Sequence, residues 1–152
     1  MKKVEIYTDG ACSGNPGNGG WAAVLLYKSA QNEIRGAEHN TTNNRMELMA
    51  IIQGLKALKA PCAVTVFSDS AYAVNAFNEG WLTNWQRLNW HTTNKKEVKN
   101  IDLWQQLLEL NNTHQIKFVK VKGHSDNKLN NRCDELARKA IEELVLNTDI
   151  SL

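Results

Sequence analysis

Apolar and polar positions change rhythm several times along the chain, and each change predicts an element. Val4 to Asp9 and Trp21 to Tyr27 are rich in aliphatic and aromatic residues and read as strands. Between them, Gly10 to Gly20 holds five of the nine glycines and reads as a turn region. Glu33 to His39 gives a weaker strand pattern, interrupted by Gly36. From Thr42 to Leu58, Met, Leu, Ala and Ile fall on nearly every face without a proline, which predicts a largely buried helix closed off by Pro61. Ala63 to Ser68 is a short apolar run bounded by turn residues, a buried strand, and Ser70 to Asn78 is the helix after it. Trp104, Leu107, Leu108 and Asn111 recur at helical spacing; Ile116, Phe118 and Val119 to Val121 suggest a strand before the Lys122-Gly123-His124 loop. Cys133, Leu136, Ala137, Ala140, Ile141 and Leu144 form the apolar stripe of a last helix. This order predicts an α/β fold, an antiparallel meander followed by parallel crossover units, in a single domain over residues 1–146. The tail, 147–152, carries no pattern and is expected to be loose.

Length and composition narrow the class. A chain of 152 residues with 42% apolar content can bury a core without staples. The opening Met1-Lys2-Lys3 passes straight into strand pattern and leaves no room for a signal peptide, while the longest apolar run, Trp21 to Tyr27, is too short to cross a bilayer. A soluble, cytoplasmic protein is expected. Cys12, Cys62 and Cys133 are odd in number and widely spaced, which suggests neither a disulfide framework nor a zinc site. A net charge of +2 is too small for a generally basic nucleic-acid binder, so any basic surface must be local.

Four acids supply the candidate chemistry. Asp9 ends the first predicted strand, Asp69 ends the buried strand, Glu47 lies early in the first long helix and Asp134 at the start of the last. Ligands of α/β sheets sit beyond the carboxyl ends of strands, so Asp9 and Asp69 are at a natural site edge. Singly each acid has a plainer explanation: Asp9-Gly10 as a turn, Asp69-Ser70 as a helix cap, Asp134 as a dipole partner, Glu47 as a solvated charge. Glu47, however, stands between Met46 and Leu48, and Asp134 beside Cys133 at the edge of a core-facing stripe. Carboxylates so close to a core are costly unless paired or bound to metal. Hard oxygen ligands without paired His or Cys point to Mg²⁺, with Mn²⁺ able to substitute. Two ions roughly 3.5 to 4 Å apart would share four acids and clamp a phosphodiester for hydrolysis.

The segments Tyr7-Thr8-Asp9-Gly10-Ala11-Cys12-Ser13-Gly14-Asn15-Pro16-Gly17, Thr42-Asn43-Asn44-Arg45-Met46-Glu47-Leu48, Ser68-Asp69-Ser70, Val121-Lys122-Gly123-His124 and Arg132-Cys133-Asp134-Glu135-Leu136-Ala137 occur in one order over nearly the whole chain. Together they resemble bacterial type 1 ribonuclease H. That resemblance implies a five-stranded mixed sheet flanked by helices on both faces. It further implies Mg²⁺-dependent endonucleolytic cleavage of the RNA strand of RNA·DNA hybrids, leaving 5′-phosphate and 3′-hydroxyl ends, by a monomer without an obligate protein partner. Asp9 would bridge both ions, Asp134 would help hold the one that activates water, and Glu47 with Asp69 the one at the leaving group. His124 would assist proton transfer or product departure.

Telling a hybrid from other duplexes requires sensing a 2′-hydroxyl on one strand and its absence on the other. Cys12, Asn15, Thr42, Asn43 and Asn44 resemble the family's minor-groove contacts, although Thr42 and Asn43 equally suit helix capping. Residues 81–99 hold three of the five tryptophans, with four cations against one acid. This segment resembles the family's basic protrusion, in which Trp81, Trp85, Trp90, Lys95, Lys96 and Lys99 would meet the DNA strand; the tryptophans suit packing as well. Ala71, Gln86, Leu88 and Asn89 depart from the usual pattern, as does the loop Ser125 to Asn131, with Asn131 where an acid is often found. Two rival readings are a non-catalytic hybrid-binding module, which would lack at least one carboxylate, and a ribonuclease H-like DNA nuclease, which would lack the tryptophan-rich segment.

Overall fold

The structure, a computed structural model, describes residues 1–123 and 127–150. Three long strands, β1 (Lys2–Gly14), β2 (Gly17–Tyr27) and β3 (Ala30–Thr41), form an antiparallel meander. Two shorter ones, β4 (Cys62–Ser68) and β5 (Gln115–Lys120), extend the sheet in parallel from β1, giving the order β3-β2-β1-β4-β5. The helices are α1 (Asn43–Lys56), α2 (Ala71–Asn78), α3 (Trp81–Arg87), α4 (Ile101–Thr113) and α5 (Lys128–Ile150).

Burial on both faces explains the continuous apolar run from Trp21 to Tyr27 in β2, whereas β1 alternates exposed and buried positions until Ile6. Val4 and Ile6 of β1 and Ala23 and Leu25 of β2 join the core built with α1, α2 and α4. Their alternate neighbours Tyr7, Ala22 and Val24 pack with Cys133, Leu136 and Ala137 of α5 on the opposite face. Helices therefore cover both faces, as expected.

Several boundaries differ from the sequence reading. Gly10 to Gly20 is mostly strand rather than turn: Gly10 pairs with Trp21, and the ladder runs to Gly14 opposite Gly17. Cross-strand pairing overrides the low strand propensity of glycine there. Pairing with β2 likewise lengthens β3 beyond the expected Glu33 to His39. Helix α5 begins at Lys128, which puts Asp134 in its second turn, away from the helix start. It also continues past Leu146 to Ile150, where a loose tail is expected; extending an existing helix avoids a new nucleation, and the Thr148 hydroxyl donates to the Leu144 carbonyl at 2.9 Å. Among the described residues, no helix is long and apolar enough to cross a membrane.

Candidate active site

The parallel pairing of β1 with β4 ends at Tyr7 opposite Phe67, whose rings stack with centroids 4.4 Å apart. Two residues further along each chain stand Asp9 and Asp69. Asp9 is thus not at the end of its strand; it lies where β1 leaves β4 and continues alone with β2. Asp69 follows the last residue of β4, and the helix cap beside it is Ser70, whose hydroxyl accepts from the Ala73 amide at 3.1 Å. The cap leaves the Asp69 carboxylate to the cavity.

Glu47 arrives from α1, started by Thr42, whose hydroxyl accepts from the Arg45 amide at 3.2 Å. Gly10 allows α1 to come this close: a Cβ there would lie 2.4 Å from the Glu47 amide nitrogen. Gly123 also passes close to Asp69, with a Cβ position 2.9 Å from Oδ2. Asp9 and Glu47 are 5% and 4% exposed, and Glu47 Oε2 is buried without a hydrogen-bond partner.

Asp9, Glu47 and Asp69 each bring a carboxylate oxygen within 4.8 Å of the other two. Burial, then the negative charges of Asp69 and Asp134, push the Asp9 carboxyl up to about 8. Glu47 is raised well above its ordinary value, first by burial and then by Asp9 and Asp69. Such a cluster takes up protons or a cation to offset its charge. Three hard oxygen donors around an unpartnered buried carboxylate oxygen fit a divalent ion of the magnesium class. Asp134 lines the same cavity, of about 310 Å³, but stands outside the tight trio, its Oδ2 accepting from Arg138 Nη2 at 2.6 Å. A larger hollow of about 720 Å³ at the other end of the sheet contains one carboxylate, Glu5, and no comparable cluster.

Cys12 and Asn43 line the acidic cavity, and the Asn15 side-chain oxygen accepts from the Asn43 amide at 3.2 Å, tying the hairpin tip to the start of α1. Asn44 is exposed on the same first turn, and the Thr42 hydroxyl is engaged as a cap. Trp81, Trp85 and Trp90 pack on the main core, Trp85 with its ring 5.5 Å from that of buried Trp104. All three rings are only partly buried. Lys95, Lys96 and Lys99 are exposed beyond them. Arg45, paired with Asp102 at 2.8 Å, ties α1 to the start of α4, where the protrusion rejoins the body. Ala71 is exposed at the start of α2, and Asn131 lines the acidic cavity. His124 lies outside the described residues, as do Ser125 and Asp126.

Two neighbours of the site escape the sequence reading. Asn130 lines the cavity at 3% exposure with its side-chain oxygen unpartnered, and nothing in the pattern signals its burial. Arg138 was accessible from spacing alone, since an acid four residues before an arginine on a helix is a standard pair.

Fold and site define an α/β protein whose buried carboxylate cluster is suited to divalent metal. The RNase H family model matches residues 1–142. A Ribonuclease H of Caldicellulosiruptor saccharolyticus is 64% identical over 144 residues, covering 95% of this chain and 99% of its own. One from Chlorobium luteolum is 63% identical over 143 residues, covering 94% and 98%. The chain therefore belongs to the RNase H family, and is a nuclease. Among solved structures, LC9-RNase H1, a type 1 RNase H with the type 2 active-site motif, superposes with a TM-score of 0.85 at 25% identity, covering 94% of this chain and 74% of that one. LC11-RNase H1 in complex with an RNA/DNA hybrid gives 0.73 at 24%, covering 93% and 99%, a likeness of fold.

Proposed function

We propose that this chain hydrolyses the RNA strand of RNA·DNA hybrids, leaving 5′-phosphate and 3′-hydroxyl ends, with Mg²⁺ as its ion. The observation that carries this reading is the convergence of Asp9, Glu47 and Asp69 in a family member, with Asp134 on the same cavity. Divalent cations supply the Lewis acidity and positive charge that phosphodiester hydrolysis needs. Asp9 would be shared between two ions, Glu47 and Asp69 completing one site and Asp134 the other. Tyr7 and Phe67 stack two residues before Asp9 and Asp69, at the last paired position of β1 and β4. His124 would relay a proton or ease product departure, slowing the enzyme when lost rather than abolishing it.

On the hybrid, Cys12, Asn15, Asn43 and Asn44 would follow the minor groove beside the acids. Thr42 would contribute through its backbone, its hydroxyl being used as a cap. Lys95, Lys96 and Lys99 would neutralise phosphates of the DNA strand from a protrusion footed by Trp81, Trp85 and Trp90. The enzyme would act as a cytoplasmic monomer.

The deciding experiment offers purified protein with Mg²⁺ a labelled hybrid and the matching DNA duplex. Cleavage confined to the RNA of the hybrid is expected; equal cutting of both, or of neither, refutes the proposal. Replacing Lys95, Lys96 and Lys99 together with Ala should raise KM for the hybrid. It should also flatten the salt dependence by roughly 0.9 in log–log slope for each phosphate that is no longer neutralised. An unchanged slope would remove the protrusion from the binding surface.

A further inference from the structure

Among the described residues, Asp134 is the one candidate acid whose carboxylate is paired with a cation of the protein itself. Arg138, one helical turn along α5, donates from Nη2 to Asp134 Oδ2 at 2.6 Å. The two ends of this pair differ: the Asp134 side chain is 24% exposed at the cavity and that of Arg138 is 66% exposed. The arginine is therefore free to swing into solvent, whereas the aspartate is held at the wall of the acidic cavity.

We infer that Arg138 is a positioning residue that competes with the metal for Asp134, holding this carboxylate away from Asp9, Glu47 and Asp69 until a divalent ion displaces the guanidinium. The arrangement follows from the charges. Three acids sit together within 4.8 Å, and a fourth turned toward them would add repulsion. Arg138 relieves that repulsion by drawing Asp134 aside, and an exposed guanidinium gives up its partner at little cost because such pairs are weak in water. Ion binding at the Asp134 side of the cavity must break or share this bond, so Arg138 lowers metal affinity while leaving the fold unaffected. The other arginine of α5 does something else: Arg132 binds Glu33 and Glu135, fastening the helix to β3.

The inference rests on the metal reading of the site, and the test separates the two. Calorimetric titration of the metal-free full chain with Mn²⁺ and with Mg²⁺ is compared for wild type, Arg138→Ala, Arg138→Lys and Lys139→Ala. Lys139 is exposed on the same helix, and its replacement removes the same unit of charge without touching the Asp134 bond. Arg138→Ala should bind the ion about 1.5- to 5-fold more tightly, the range set by the weakness of exposed pairs. Arg138→Lys should fall between it and wild type, Lys139→Ala should stay near wild type, and metal-free melting temperatures should be nearly unchanged. Weaker or unchanged ion binding in Arg138→Ala, or an equal gain in Lys139→Ala, overturns the role of Arg138 alone. A wild type that takes up neither ion overturns the metal reading and the inference with it.

Discussion

Asp9→Asn and Asp69→Asn should each lower hybrid cleavage by more than about 100-fold while hybrid binding and the folded structure persist. Residues that merely support metal ligands are typically worth about 10- to 100-fold, so removal of a ligand should cost more. Asparagine preserves the shape of each side chain, but it removes the charge that would draw cations into the trio. Gel-based cleavage of a labelled hybrid, with binding followed by fluorescence anisotropy, checks both halves. Normal cleavage by either variant would remove that residue from the proposed metal site. Loss of binding together with cleavage would place it in the substrate surface instead.

The second large effect is on the stability of the metal-free protein. In the folded state Asp9 is pushed up to about 8 from an ordinary value of 3.8, first by burial and then by neighbouring negative charge. Between those values the folded chain holds more protons than the unfolded one, so stability must fall as pH rises across the interval and level off above it. Glu47 is shifted the same way and adds to the slope. Thermal melts in chelator at pH 5 and pH 8 should show wild type losing stability relative to Asp9→Asn, with a change in the melting-temperature difference of about 5 °C or more. Comparing the two proteins cancels groups such as His114, lowered by burial, that titrate in both. Saturating Mg²⁺ at pH 8 should restore stability to wild type and much less to the variant, since ions take only deprotonated carboxylates. A difference independent of pH would mean that the acids are already relieved of their mutual repulsion.

The same acids measure how much of the site was legible along the chain. Glu47 was readable as buried because Met46 and Leu48 flank it in an apolar helix, and it is buried. Asp69 was readable because an apolar run stops just before it, and β4 ends at Ser68. Asp9 reaches the site edge for a reason its neighbours in sequence do not show: β1 runs on to Gly14, and what ends beside Asp9 is only the pairing with β4. A glycine-rich segment looks like a turn until its partner strand is known. The protrusion divides similarly, since its basic character follows from composition, whereas only the tertiary structure shows Trp85 resting, partly buried, against Trp104.

By itself, then, the sequence determined the order of elements, the helices on both faces of a mixed sheet, and the four acids, because apolar periodicity and local neighbours act over a few residues. Tertiary structure decided how the acids meet, three in a tight trio and Asp134 to one side. Asp9, Glu47 and Asp69 lie far apart along the chain and converge because Gly10 lets α1 close on β1 and because β1 and β4 run parallel to the same edge. Asp134 reaches that edge from the second turn of α5, drawn aside by Arg138. Charge repulsion and desolvation depend on these distances in space, which no spacing along the chain records.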